Sequence, residues 1–364
     1  MHPDKLKKAV LILLLLVLVV VILKFGQPFL MPLAFAGLLS MLLLPLTRKL
    51  EGKGVNKAIA TILPILMLVI FFAGLIALLA WQASGVTDSA SKLEQQFSEK
   101  YQQVQAFVSD NLGISADKQK QMMKSQQSSG PGKLVGTISK IVAGIGGLAT
   151  NTLLVLVYIF LMIYLRKYIK RFILRLVRND QKENAIDILR QSQKVTQKYL
   201  GGYAVMIVGL WIMYGIGFSI AGVKNAIFFA VLCGILEIIP FVGNLAGTAL
   251  TLVMVLVQGG DTNAIIGVVI TYGLVQFIQS YILEPLVVGS EVNINPMFTI
   301  GGLVAAEIVW GVGGMVLAIP LMGVTKIVFD HIDPLKPFGE FMGEDKKEDT
   351  GLKKKITGLF RSKK

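Results

Sequence analysis

The sequence predicts an all-α, polytopic transmembrane protein, and three observations favour that fold class. Hydrophobic residues make up 54% of the 364-residue chain and charged residues only 16%, and a soluble domain of this length does not need so much apolar surface. The apolar residues fall into runs close to the roughly 20 residues that a membrane-crossing helix requires. Basic residues flank these runs and the formal net charge is +14, which is typical of cytoplasmic loops that face anionic lipid.

Changes in composition divide the chain into five predicted segments. They are N-terminal transmembrane helices at 1–81, an extracytoplasmic amphipathic helical insert at 82–140, a transmembrane helix with a basic cytoplasmic helix at 141–200, a transmembrane transport region at 201–330 and a charged cytoplasmic tail at 331–364. Because the loop between the second and third apolar runs is rich in Arg and Lys, both termini are expected in the cytoplasm.

Three apolar runs are predicted to cross the membrane in the N-terminal segment. The first covers 9–23, and no small-residue cleavage site follows it, so an uncleaved span is expected. This run is short, and snorkelling of Lys24 to the interface would compensate for its length. The second run, 29–46, is expected to end at Pro45. The third covers 58–81.

The polar segment 82–140 carries apolar residues at every third or fourth position, which predicts a helix with one apolar face. These residues are Leu93, Phe97, Tyr101, Val104 and Val108. One such helix buries little surface alone, so packing on the same chain or on a neighbouring subunit is expected. The segment therefore predicts a homo-oligomer whose subunit number the sequence leaves open.

A fourth span is predicted at 141–165, and a strongly basic stretch follows it. The residues from 166 to 199 contain neither Gly nor Pro, which favours a cytoplasmic helix lying against anionic membrane lipid. For the tail, a second lipid-bound helix at 353–364 and an unstructured solubilising segment are equally compatible with the pattern.

The transport region contains two interrupted apolar elements. The element at 226–257 is split near Pro240, and it is too long for one straight span and short for two. Two short spans and a hairpin therefore both remain open. The element at 297–329 repeats this design, with Gly311, Gly313, Gly314 and Pro320 as its expected breaks. Uninterrupted spans are predicted at 201–221 and 264–283, of which the second separates the two elements.

These two elements are interpreted as an internal repeat, as found in many secondary transporters. Aligned by sequence, Gly234, Ile239, Pro240 and Gly243 match Gly314, Ile319, Pro320 and Gly323. Broken helices expose backbone groups at membrane depth, where transporters bind polar substrates. The repeat therefore predicts a polar path that lies between the elements.

Carboxylates and amides near these breaks are the candidate functional residues. A carboxylate in an apolar membrane segment is costly unless it is paired or hydrated. The predicted substrate or ion path comprises Glu237, Pro240, Gly243, Gln276, Gln279, Glu284, Pro285 and Glu307. In the structural alternative, Glu284 caps broken backbone or meets a basic residue. Glu307 would then pair with Lys326 or with a neighbouring subunit.

The sequence indicates neither an enzyme nor a nucleotide-driven pump. It contains no Walker A motif and no Ser/His pair within its apolar runs, so no catalytic residue is predicted. Cys233 is the only cysteine, and His2 and His331 are the only histidines. No metal site and no other cofactor is therefore expected. Because the basic residues flank apolar spans, lipid rather than nucleic acid is the predicted polyanionic partner.

Three stretches of this sequence resemble the autoinducer-2 exporter (AI-2E) family of bacterial transporters. They are ILEIIPFVGNLAG at 235–247, QSYILEPLVVGSEVNINPMF at 279–298 and WGVGGMVLAIPLMGVTKIV at 310–328. The order of spans, the polar insert and the basic helix are similar as well, over roughly residues 5–335. The family pattern carries over at Pro240, Gly243, Glu284, Pro285, Pro296, Gly314 and Pro320, whereas Glu237 departs from it.

The resemblance implies a homo-oligomeric transporter of the bacterial inner membrane, associated with quorum sensing. Its implied substrate is a small polar solute such as autoinducer-2. Similar proteins are described as Na⁺(Li⁺)/H⁺ antiporters, so exchange of a monovalent cation for protons is the alternative. A non-transporting membrane scaffold is the second alternative. The carboxylates of this chain are sparse, which favours solute export over cation exchange.

Overall fold

The computed structural model describes residues 3–82, 149–240, 242–257, 259–288 and 293–344, and their regular elements are helices. In chain order they are α1 (Pro3–Phe25), α2 (Gln27–Gly52), α3 (Lys57–Gln82), α4 (Ala149–Tyr164), α5 (Arg166–Leu176), a 3-10 turn (Asn179–Gln181), α6 (Lys182–Ile220), α7 (Ala226–Leu236), α8 (Val242–Val257), α9 (Thr262–Ile278), a π-helix (Gln279–Val288), α10 (Pro296–His331), a second 3-10 turn (Asp333–Leu335) and α11 (Lys336–Met342).

By length and composition, five of these helices could cross a membrane, or up to six if the bent pair α4–α5 counts as one span. This count takes α10 as one helix, although its backbone leaves helical geometry at Gly311. The predicted all-α polytopic membrane fold is therefore confirmed. The amphipathic insert predicted at 82–140 and the tail helix predicted at 353–364 lie outside the described residues, apart from the first residue of the insert.

The second helix does not end where the sequence suggested. α2 contains both Pro32 and Pro45 and continues to Gly52, so the prediction that Pro45 terminates this helix is wrong. Proline is tolerated inside membrane helices because neighbouring groups satisfy the carbonyls that it leaves free. The turn after α2 is made at Gly54, whose φ of +85° lies in the left-handed region that glycine adopts readily.

The basic stretch after the fourth span is also divided differently. α4 and α5 are bent by 72° relative to each other, and α5 ends before the first 3-10 turn. α6 then runs for 39 residues through Gly201 and Gly202. The fifth predicted span is therefore continuous with the basic helix, because two glycines in a helix held by apolar packing weaken it without ending it.

The described chain forms two compact units. The first contains described residues of 28–169 and 200–289, and the second contains those of 1–27, 170–199 and 290–364. The main core of the first unit is built from large apolar side chains, including Leu210, Tyr214, Phe218, Phe229, Met254 and Val268. Burial of these side chains fixes the positions of α6, α7, α8 and α9 within that unit.

The first interrupted element is a helical hairpin, here named hairpin 1 and made of α7 and α8. Small residues bring its arms together: a Cβ atom on Gly247 would lie 2.9 Å from Cys233 Sγ. The 11 residues of α7 rise only about 16 Å at 1.5 Å per residue, against a hydrocarbon core of roughly 30 Å. The first arm is therefore too short to cross the hydrocarbon core as a straight helix.

The second interrupted element, α10, is a hairpin as well and is named hairpin 2. Its backbone leaves helical geometry at Gly311, with φ 62° and ψ −149°, and a side chain on Gly302 would overlap Met322. In a straight helix those two residues would be about 30 Å apart. The turn is therefore at Gly311, whereas Pro320 lies inside the second arm. Of the breaks predicted in this element, the one at Gly311 is confirmed, whereas the one at Pro320 is wrong.

Candidate functional site

The tip of hairpin 1, in the first unit, is shaped by a close backbone approach. α7 ends at Leu236, and Gly243 opens the first turn of α8 directly against it. A Cβ atom on Gly243 would overlap the carbonyl group of Leu236, so only glycine allows the arms to meet this closely. This contact leaves Glu237 at the tip, 9% exposed.

The backbone at this tip is satisfied without the Glu237 carboxylate. The amide of Ile239 donates to the Leu236 carbonyl over 2.8 Å, and the amide of Gly243 donates to the Ile239 carbonyl over 3.0 Å. The Glu237 carbonyl accepts a hydrogen bond from the Tyr203 hydroxyl, also over 2.8 Å. The carboxylate of Glu237 therefore remains available for other interactions.

Gln279 donates a hydrogen bond to that carboxylate. Its Nε2 donates to Glu237 Oε1 over 2.8 Å. Gln279 is itself buried, and it is the first residue of the π-helix that continues α9. The wider turns of π-helices often mark functional sites. Glu237 and Gln279 thus join the hairpin tip to the irregular end of α9.

Asn244 forms a second connection between the same two elements. Its Nδ2 donates to Gln276 Oε1, and Gln276 Nε2 in turn donates to the Ser280 hydroxyl over 3.3 Å. Asn244 and Gln279 are both buried, whereas Gln276 is half-buried. The two predicted glutamines therefore contact hairpin 1 through different residues.

Four buried oxygen atoms at this tip lack a hydrogen-bond partner in the described part of the chain. They are Glu237 Oε2, Asn244 Oδ1, Thr248 Oγ1 and Gln279 Oε1. Thr248 follows Asn244 by one helical turn on α8, so both lie on one face. Buried polar atoms are rarely left unsatisfied. We name Glu237, Asn244, Thr248, Gln276 and Gln279 the polar cluster, and its free oxygens can accept donors or a cation.

Glu284 and Pro285 lie on the π-helix, beyond the polar cluster. The Glu284 side chain is exposed. The regular α-helix ends at Ile278, well before Pro285, and the backbone stays helical to Val288. Pro285 therefore does not end the helix, which instead widens six residues earlier, at Gln279.

Glu307 belongs to the second unit and is not a member of the polar cluster. It is exposed on the first arm of hairpin 2. Lys326, its predicted partner, instead binds Asp330 one turn further along the same helix, with 2.6 Å between Nζ and Oδ2. The pairing of Glu307 with Lys326 is therefore wrong.

Three members of the site were missed in the sequence. Asn244 and Thr248 follow Pro240 in an otherwise apolar helix, and their spacing of one turn was a usable signal of a polar face. Tyr203 gave no such signal, because tyrosine is common near membrane interfaces. Within the described residues, no group of three or more His, Cys, Asp or Glu side chains could hold a metal ion.

The fold and this site define a class of protein. Several apolar helices, two helical hairpins and a buried polar cluster at one hairpin tip are typical of membrane transporters, in which broken helices line a substrate path. The comparison with known sequences identifies the family within this class.

Residues 11–333 match the family model described as AI-2E family transporter, and the chain belongs to that family. It is similar to YueF of Bacillus subtilis (strain 168), with 26% identity over 84% of this chain and 86% of the relative. YrrI of the same organism is 25% identical over 82% and 85% of the two chains. YhhT of Escherichia coli (strain K12) is 23% identical over 79% and 80%. All three are named as candidate transport proteins.

Proposed function

We propose that this transporter exports a small polar solute such as autoinducer-2 across the bacterial inner membrane, as a homo-oligomer with both termini in the cytoplasm. The polar cluster is the binding site in this proposal. Its single strongest support is the set of four unpartnered buried oxygens on Glu237, Asn244, Thr248 and Gln279.

The chemistry of these oxygens favours a solute that carries hydroxyl groups. Each free oxygen accepts a hydrogen bond, and each would regain a partner when a hydroxyl donor binds. Gln279 and Asn244 also hold the Glu237 and Gln276 side chains through amide hydrogen bonds. These side chains are therefore largely held in place before the solute binds, which lowers the entropic cost of binding.

Exchange of a monovalent cation for protons is the second candidate function. The Glu237 carboxylate is buried beside neutral oxygen ligands, and hard cations prefer such oxygens. Protonation of the same carboxylate would release the cation, which is the coupling that an antiporter needs. Only one buried carboxylate is found in the described polar cluster, and this sparseness favours the solute.

The amphipathic helix α5 supports the orientation in this proposal. Its large side chains Tyr168, Phe172 and Leu176 are 69%, 56% and 71% exposed, and basic residues alternate with them. A helix of this kind lies in the interface of an anionic leaflet. We infer that α5 rests on the cytoplasmic surface of the membrane.

Purified protein in liposomes distinguishes these functions. Uptake of radiolabelled solutes and internal pH are measured with imposed solute, sodium or proton gradients. Saturable solute flux without sodium-dependent proton movement is the expected result. Sodium-dependent proton movement without solute flux would instead establish the antiporter. Absence of both fluxes, in protein that is monodisperse and inserted, would contradict transport and favour the scaffold.

A further inference from the structure

The turn of hairpin 2 leaves backbone groups in need of partners. Its first arm ends at Gly311, where positive φ stops the α-helix, so the preceding carbonyls lose their intrahelical donors. The arms also meet closely, since a Cβ atom on Gly314 would overlap the Ala306 carbonyl. No polar side chain occurs between Trp310 and Pro320. A donor must therefore come from another element of this unit.

Lys24, at the end of α1, supplies that donor. Its Nζ lies 2.8 Å from the Ile308 carbonyl oxygen and 3.1 Å from the Val309 carbonyl oxygen. In return, the indole Nε1 of Trp310 donates to the Leu23 carbonyl over 2.8 Å. We name these reciprocal bonds, made by Lys24 and Trp310, the clasp. A side chain at the end of α1 thus donates to backbone carbonyls at the turn of hairpin 2, and a side chain at that turn donates to a carbonyl at the end of α1.

The charge of Lys24 suits this position. Carbonyls at the carboxyl end of a helix carry partial negative charge, which a cation stabilises. Lys24 is also the only charged residue between Lys8 and Arg48, so no basic residue close to it in the sequence can replace it. In the structure, the Lys24 ammonium group binds broken backbone of the same unit. The sequence holds no local signal of this contact, because Lys24 and Ile308 are 284 positions apart.

We propose that Lys24 is a positioning residue, which holds the tip of hairpin 2 against the end of α1 so that the hairpin opens only when the clasp releases. This role goes beyond the proposed function, since it concerns the second unit and does not depend on the transported solute. Lys24 is exposed, so its ammonium group can leave the carbonyls without unfolding the hairpin. Neutralising Lys24 is therefore expected to loosen hairpin 2 while leaving the polar cluster intact.

Thiol accessibility tests the clasp without any transport measurement. Cys233→Ala first removes the only native cysteine. Ala318→Cys then introduces a small thiol side chain in the second arm, at a position where the native alanine is 4% exposed. Labelling by N-ethylmaleimide in membranes reports opening of the hairpin. Lys24→Met is expected to raise the labelling rate by about tenfold, since charge-assisted hydrogen bonds are stronger than neutral ones.

Matched variants separate the clasp from general destabilisation. Lys24→Arg keeps the donors and should label at a rate close to the parent, whereas Lys8→Met removes a charge from α1 away from the clasp and should have no effect. Trp310→Phe keeps an aromatic side chain, removes the indole donor together with part of the ring volume, and should raise labelling about threefold. If Lys24→Met does not accumulate, Trp310→Phe carries the test. Parent-like labelling in the surviving clasp variant, or an equal rise in Lys8→Met, would overturn the proposal.

Discussion

Gln279 Nε2 donates to Glu237 Oε1 over 2.8 Å, and this bond joins the tip of hairpin 1 to the point where α9 widens into the π-helix. Both side chains are buried. A buried hydrogen bond to a carboxylate fixes its orientation and leaves its second oxygen, Oε2, without a partner in the described structure. The same arrangement thus positions the carboxylate and keeps it available to a ligand.

Gly243→Ala should destabilise hairpin 1. The added methyl group would overlap the Leu236 carbonyl, and a rigid backbone cannot move aside as a side chain would. Overpacking of this kind costs roughly 1–3 kcal/mol, so a lower thermal unfolding temperature in detergent is expected. Gly273→Ala is the matched control, because no atom lies within 4 Å of its added Cβ. Equal unfolding temperatures for the two variants would contradict this account of the hairpin tip.

Tyr203→Phe should weaken the same tip more mildly. The hydroxyl donates to the Glu237 carbonyl over 2.8 Å, and loss of a neutral hydrogen bond costs about 1 kcal/mol. A small fall in thermal stability and a few-fold fall in transport are expected. Tyr281→Phe removes a hydroxyl from a side chain that is 73% exposed and serves as the control. The role of Tyr203 is refuted if its variant matches that control in both measurements.

The two hairpins differ in how far the sequence revealed them. Hairpin 1 turns where Glu237 and Pro240 interrupt an apolar run, so its break was visible. Hairpin 2 turns at Gly311, which was one of its expected breaks. The sequence could not single it out from Gly313 and Gly314, because any glycine can adopt a positive φ. Pro320 looked like the stronger break, yet proline is tolerated in helices packed in a membrane protein.

The alignment of the repeat shows the same limit. The sequence alignment matched Pro240 to Pro320. In the structure, Pro240 lies at the turn of hairpin 1, whereas Pro320 lies inside the second arm of hairpin 2. In the structure, Gly243 and Gly314 are the equivalent residues, because each presses against a carbonyl of the facing arm. The site was predicted in part for a related reason. Carboxylates and amides are easily recognised in an apolar run of the sequence. The sequence does not show which of them come into contact in the folded protein.

The predicted topology can be tested by labelling single cysteines from either side of the membrane. Asn56→Cys lies in the first basic loop, and basic loops face the cytoplasm. Ser98→Cys lies in the polar insert between the third and fourth apolar runs. Labelling of Asn56→Cys from inside only and of Ser98→Cys from outside only is expected. Inside-only labelling at Ser98 would contradict the topology.

Self-association remains a prediction from the apolar face of the polar insert. Its apolar residues Leu93, Phe97 and Tyr101 recur at helical spacing, and a single exposed face of this kind favours contact with another copy. Light scattering in mild detergent and crosslinking in native membranes should both report an oligomer. Replacing these three residues by Ser should reduce crosslinking. A monodisperse monomer in both assays of the parent protein would refute the prediction.

The central claim is that the polar cluster binds the transported solute, and Glu237→Gln tests it most directly. The substitution keeps the shape of the side chain, but it removes the charge and replaces one acceptor oxygen by a donor. A charge-assisted bond contributes about 1.5–3 kcal/mol, so solute flux in liposomes should fall at least tenfold in a variant that inserts and assembles like the parent. Glu183→Gln, at an exposed site on α6, should leave the flux unchanged. Parent-like flux from correctly assembled Glu237→Gln protein would contradict the claim.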